Sequence, residues 1–178
     1  MRSYLKRVSL VAAISVLGVF AIGGTAAAAR GTTTVSLDPA TIGVVVNDLG
    51  LTPAAVSPGT LSGLEASFPI VGNAKGGIIK HTGGLSLSDG MTTLALTKYF
   101  IDTNVGQLTA IASVDGVEVG RIPLFDVTLI DPASGCAASA ELGLTLDAAT
   151  ALDTIFDLPV TPGDLDGVHF GTACVSPR

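Results

Sequence analysis

The chain has 178 residues, 48% hydrophobic and 13% charged, with 22 glycines, 9 prolines and no tryptophan. That is too apolar for a disordered chain, and the length fits one domain or two at most. The formal charge is −6 and no cluster of Lys and Arg is present, which excludes nucleic-acid binding, because neutralising phosphates takes clustered cations.

Arg2, Lys6 and Arg7 precede an apolar run from Val8 to Ile22, followed by Gly23-Gly24-Thr25 and the tract Ala26–Ala29. A cationic start, an apolar stretch and small residues form the order of a secretory signal peptide. The run is shorter than the ~20 residues of a membrane span. Residues 1–29 are therefore read as a signal peptide cleaved after Ala29, and residues 30–178 as a single exported domain. That domain holds 6 cationic against 15 acidic side chains, a formal charge of −9. It contains no second long apolar run, so the expected place is extracellular, free or at the cell surface, with no membrane span after cleavage. In that compartment two cysteines, Cys136 and Cys174, predict one disulfide. Parity with Val168 and Phe170 puts Cys174 on the core side of the last strand.

In chain order, the first element is helical. Asp38 can cap it, Pro39 suits its first position, and Ile42, Val45, Val46 and Leu49 share one face. Leu64 to Ile70 then alternates as a half-buried strand, with Pro69 pushing it toward a sheet edge. Residues 76–88 read as extended, with Ile79, His81, Leu85 and Leu87 on one parity. Asp89-Gly90 is a hairpin turn signal, and so is Asp115-Gly116. Between them lie residues 91–103 and the alternation of Leu108, Ala110, Ala112 and Val114. Residues 117–131 continue as strand, interrupted by Pro123. Leu142, Leu144 and Leu146 alternate again. Asp147 can cap a second helix with Leu152, Ile155 and Phe156 on one face, and Val168 to Cys174 form a closing strand. The predicted fold class is all-β: an antiparallel two-layer β-sandwich of about nine or ten strands with two short helices.

The two helical segments resemble each other. Leu37–Pro53 and Leu146–Pro162 align without gaps, and 8 of 17 positions are identical. The pattern is one unit used twice: strand end, Asp cap, short helix, loop with Thr-Pro. Two such units would cover open ends or edges of the sheets.

Chemistry is sparse. No G-x-S-x-G, H-E-x-x-H or phosphate-binding glycine loop occurs, so no catalytic residue is assigned. With no Cys-x-x-Cys, no metal site is assigned either. Asp164-Leu-Asp166-Gly is a fragment of a calcium loop and reads as a capped acidic turn. His81 lies on an apolar face, where its ring must find a partner. Tyr99, the one tyrosine left after cleavage, lies at opposite parity to Leu94, Leu96 and Phe100. His81 and Tyr99 are the candidate ligand-binding residues. Tyrosinate can ligate haem iron, and the two strands are expected to pair as a hairpin.

Several stretches resemble HtaA-type domains, the secreted or surface β-rich, haem-capturing domains of actinobacteria. His81-Thr-Gly83-Gly-Leu85 is similar to that family's His-x-Gly-x-Leu strand. Gly106-Gln-Leu108 and Ile122-Pro123-Leu124 through Leu129 are similar to the strands that follow. Leu144 to Phe156 resembles its late helix, and Leu165 to Phe170 its closing strand. The likeness spans residues 76–172. It implies the fold, export and a binding role. In the family a tyrosine near the domain start ligates haem. Thr32–Thr60 contains no aromatic residue here, so only His81 carries over, as a pocket or supporting residue. The functional expectation is a non-catalytic extracellular binding domain of this type with no cofactor, its ligand or cell-surface partner open. Haem capture is the alternative and an extracellular hydrolase the second.

Overall fold

The computed structural model describes residues 30–177. The signal-peptide reading, residues 1–29, lies outside them. Eleven strands are present: β1 (Gly31–Leu37), β2 (Thr52–Val56), β3 (Thr60–Ser62), β4 (Glu65–Lys75), β5 (Ile78–His81), β6 (Gly84–Ser88), β7 (Thr93–Asp102), β8 (Gln107–Val114), β9 (Val117–Ile130), β10 (Ala138–Leu144) and β11 (His169–Pro177). Three short helices accompany them: α1 (Pro39–Gly43), which runs into a π-helical turn (Val44–Asp48), α2 (Leu146–Phe156) and α3 (Pro162–Leu165).

The strands do not form a two-layer sandwich. They run in the order β7-β5-β4-β1-β11-β10-β9-β8, and β8 pairs back onto β7, closing an antiparallel barrel. β6 and β2 extend outward from β7, and β3 pairs with β4. A barrel and a sandwich share one inward–outward alternation, so the pattern of apolar residues does not separate them. Closure is made by bends. Register shifts interrupt β4–β5, β7–β8, β8–β9 and β10–β11, and each such bulge adds local twist.

These irregularities explain where the sequence pattern slips. Pro69 is not at an edge: β4 pairs with β1 on one side and with β3 and then β5 on the other. Its carbonyl accepts from Thr82 N–H, so its missing N–H faces the gap where β4 changes from β3 to β5. Pro123 sits at a register shift of β8–β9, and Leu124 and Phe125 beside it are both buried. The expected extended run 76–88 is two strands, broken at Gly83 with φ 77°. Cys174 is not on the core side. Phe170 packs on the core, but Gly171 at φ 155° and the adjacent β10–β11 shift reverse the alternation. Ala173 and Val175 then point inward. Cys174 bonds Cys136 from the outer face, with Cα atoms 5.4 Å apart.

The barrel interior holds the core, with Ile70, Leu94, Ala66 and Ala110 almost fully enclosed. The repeated units both form helices, with different caps. Asp38 accepts from Thr41 N–H at 2.8 Å, as the sequence predicts. In the second unit Thr145, not Asp147, accepts from Ala148 N–H, because its hydroxyl is also held against the Pro123 carbonyl. Asp147 lies in the first turn. Thr161 and Asp164 make a capping box on α3, which is the capped acidic turn expected there.

The disulfide closes a sequence separation of 38 residues, worth about 4 kcal/mol by restriction of the unfolded chain. Reduction with alkylation should lower the denaturant midpoint by a corresponding amount. An unchanged midpoint would contradict this.

Candidate functional site

Tyr99 and His81 come together at the point where β7 changes partners. One edge of β7 pairs with β6 over residues 93–97 and with β5 over residues 100–102, while β8 follows the other edge. Lys98 occupies the changeover with φ 51°, a left-handed conformation uncommon outside glycine. It reverses the alternation of β7. Leu94 and Leu96 point inward before it, and Tyr99 and Ile101 point inward after it. Tyr99 therefore shares the interior with Leu94 and Leu96, contrary to simple parity.

The segment His81–Leu85 wraps this bulge. Lys98 N–H donates to the Gly83 carbonyl at 3.1 Å, and Leu85 N–H donates to the Tyr99 hydroxyl at 3.0 Å. A Cβ on Gly83 would collide with the Gly59 backbone, and one on Gly84 with the Leu96 carbonyl. The two glycines between His81 and Leu85 are thus required by close backbone approach.

His81 is 4% exposed. Its Nε2 shares a 2.7 Å hydrogen bond with Thr33 Oγ1, and its Nδ1 has no partner among the described residues. Burial pulls the imidazole from 6.5 to about 4, partly opposed by the Tyr99 backbone. Tyr99, 6% exposed, meets Phe68 edge-on with ring centroids 4.9 Å apart. Burial raises its phenol well above the ordinary value. Both side chains are therefore neutral, and both line an interior cavity of about 30 Å³ walled by Thr33, Phe68, Phe125 and Phe170. A water needs about 10–15 Å³ measured this way, so the cavity has room for one or two.

The roomier apolar space lies elsewhere. A cleft of about 340 Å³ runs between the two helical segments, lined by Val44, Val45 and Leu49 on one side and by Leu152, Val160 and Leu165 on the other. Leu87, Leu144 and Phe170 also line it. Its polar groups are committed: Thr41 donates to the His169 carbonyl at 2.6 Å, and Asp164 accepts from Thr161 at 2.7 Å. A small void of about 50 Å³ shares Leu87, Leu152 and Phe170 with this cleft and Leu85, Tyr99 and Phe125 with the interior cavity. Apolar walls thus continue from the cleft to Tyr99. No local motif in the sequence marks this cleft. Its signal was the internal repeat, since both copies line the same cleft.

No protein-family model and no curated protein matches this sequence. Solved structures do match. The C-terminal domain of HtaA from Corynebacterium glutamicum superposes with a TM-score of 0.56 at 12% identity, covering 83% of this chain and 97% of that one. The chain folds as an HtaA-type domain. The haem-binding protein HtaB from the same organism gives 0.53 at 14% identity, covering 82% of this chain and 90% of its own. At these identities the likeness is one of fold. It agrees with the resemblance seen in the sequence and extends it across the N-terminal strands.

Two tests follow for this domain. Tyr99→Phe strips the acceptor from the Leu85 amide and should cost about 1–3 kcal/mol in denaturant unfolding; a neutral result would remove the hydroxyl from the account. His81, moved from 6.5 to about 4 on folding, makes stability depend on pH. Above 6.5 both states hold a neutral ring and the full stability is present. As pH falls toward 4 the unfolded chain binds the proton first, and stability drops by about 3 kcal/mol before levelling. His81→Gln should flatten that limb, measured as denaturation midpoints from neutral pH down to 4; an unaltered slope would assign it to other groups.

Proposed function

We propose that this chain is an exported, non-catalytic binding domain that takes a small, largely apolar ligand in the cleft between its two helical segments. The supporting observation is the cleft itself. Its volume of about 340 Å³ lies in the range of small-molecule sites, about 300–1,000 Å³. Apolar side chains dominate its lining, and its polar groups already have partners. Val44 at its rim is 40% exposed, leaving apolar surface for a ligand to cover.

Haem is the ligand suggested by the HtaB neighbour, a haem-binding protein. Iron ligation by a side chain takes His, Tyr, Cys or Met, and none of these lines the cleft. Tyr99 and His81 have the chemistry and line both the interior cavity of about 30 Å³ and part of the outer cleft of about 480 Å³, but both side chains are buried, with the Tyr99 hydroxyl bonded to the Leu85 amide and His81 Nε2 to Thr33. His169 is exposed on the strand face beside Asp38. These residues do not fit a side-chain-ligated haem, which favours an apolar ligand held without iron ligation. In this reading His81 and Tyr99 support the barrel wall behind the cleft and do not touch the ligand.

The uncharged apolar dye Nile red should bind saturably with enhanced fluorescence. Val44→Lys, at an exposed rim position, should weaken it by about fivefold or more. Haemin added in parallel should give no phenolate charge-transfer band. A Soret shift abolished by Tyr99→Phe would replace this reading with haem capture.

A further inference from the structure

The barrel wall carries a second cleft, of about 480 Å³, over the β7 bulge. Lys80, Lys98 and Arg121 line it together with Phe100, Val71 and Thr82, and no carboxylate does. The exported region has 6 cationic side chains against 15 acidic ones, so half of its cations gather where acids are missing. Among the described residues none of the three pairs with a carboxylate: Lys80 lies 5.8 Å from the Phe100 ring centroid, and Arg121 bonds neutral oxygens.

The placement follows from strand register. Val71, Lys80, Phe100 and Thr109 are successive cross-strand neighbours on β4, β5, β7 and β8. Arg121 reaches back from β9, donating from Nη1 to Thr109 Oγ1 at 3.0 Å and from Nη2 to the Lys98 carbonyl at 3.2 Å. These bonds hold the guanidinium in place while its remaining N–H groups stay available. The Lys98 bulge brings the third cation to the same opening. The cations thus come from three strands around one aromatic ring, and one of them is fixed in orientation before any ligand arrives.

We propose that this outer cleft is a binding site for phosphate groups. A tetrahedral dianion presents oxygens in several directions and can meet three cations approaching from different strands. A planar monocarboxylate has two oxygens and fills one guanidinium fork. The Phe100 face and Val71 leave room for an uncharged part of the ligand, as in a phosphate ester or phosphodiester. This site shares no lining residue with the cleft between the helices.

The test is an NMR titration of the full exported domain with inorganic phosphate, against acetate at matched ionic strength. Saturable shifts are expected at Lys98, Phe100 and the Arg121 side chain with phosphate and not with acetate. Lys80→Gln, Lys98→Asn and Arg121→Lys should each weaken binding by about threefold or more. Asn is chosen because it tolerates the left-handed backbone, and Arg121→Lys keeps the charge while losing the fork. The triple change to Gln, Asn and Gln should abolish binding with the fold retained by circular dichroism. Should any variant unfold, the wild-type comparison of phosphate with acetate decides. A glycerol-phosphate oligomer distinguishes sources: tighter binding per phosphate than inorganic phosphate identifies a polymer, and equal binding identifies free phosphate, each supporting the site. Absence of saturable shifts, equal response to acetate, or binding retained by the folded triple variant would overturn it. Val44→Lys should leave phosphate binding unchanged, so failure of the apolar cleft and failure of this site read out separately.

Discussion

The Tyr99 hydroxyl accepting the Leu85 amide is the contact around which this barrel is arranged. A strand in a closed sheet needs a partner along its whole edge, or its N–H and C=O groups go unpaired. On one edge β7 has two partners end to end, β6 and β5. A gap opens between them, and the Tyr99 side chain fills it from inside, supplying the oxygen that a backbone carbonyl would otherwise provide. Lys98 makes this geometry by adopting φ 51°, and the chain then reverses its alternation for the rest of β7. The unfavourable backbone conformation is offset by a buried aromatic contact with Phe68 and by the Lys98–Gly83 hydrogen bond.

The same bulge relates the inside of the barrel to its outside. His81 and Tyr99 line the interior cavity and also form part of the wall of the outer cleft. Their neutral state is consistent with that position, since an ionised ring at a site so poor in partners would carry a large desolvation cost. Lys80 and Phe100 are neighbours of this pair in sequence and point the other way, toward solvent. β5 and β7 thus separate an apolar interior from a cationic surface within successive residues.

The two helical segments solve a different problem. A short helix cannot stand alone, because it fixes many dihedrals for few hydrogen bonds. Each is capped at its start, by Asp38 or Thr145, and each places apolar residues against the barrel, among them Ile42, Leu152 and Phe156. They leave a gap between them, and that gap is the apolar cleft. The likeness of the two copies is greatest in sequence and lessens in structure. Thr52-Pro53 opens a strand, whereas Thr161-Pro162 opens a helix.

The all-β class, the strand alternation, both helical segments, the Asp38 cap and the cysteine pairing were legible in the residues, because each rests on local periodicity or on side chains acting within a few positions. His81 was legible as buried for the same reason. The closure of the barrel was not, since β8 must meet β7 and β9 through bulges whose positions depend on distant partners. Tyr99 shows the limit well. Its inward orientation depends on Lys98 taking a left-handed conformation, and that is stabilised by Gly83 and Leu85 across the strand gap. Cys174 lies on the outer face for a like reason, the reversal at Gly171. The apolar cleft was hinted at by a repeat, and the cationic cleft by nothing local, as Lys80, Lys98 and Arg121 are far apart in sequence. Periodicity determines which residues alternate; only the tertiary structure decides where the alternation slips, because a bulge is held by contacts the local sequence does not contain.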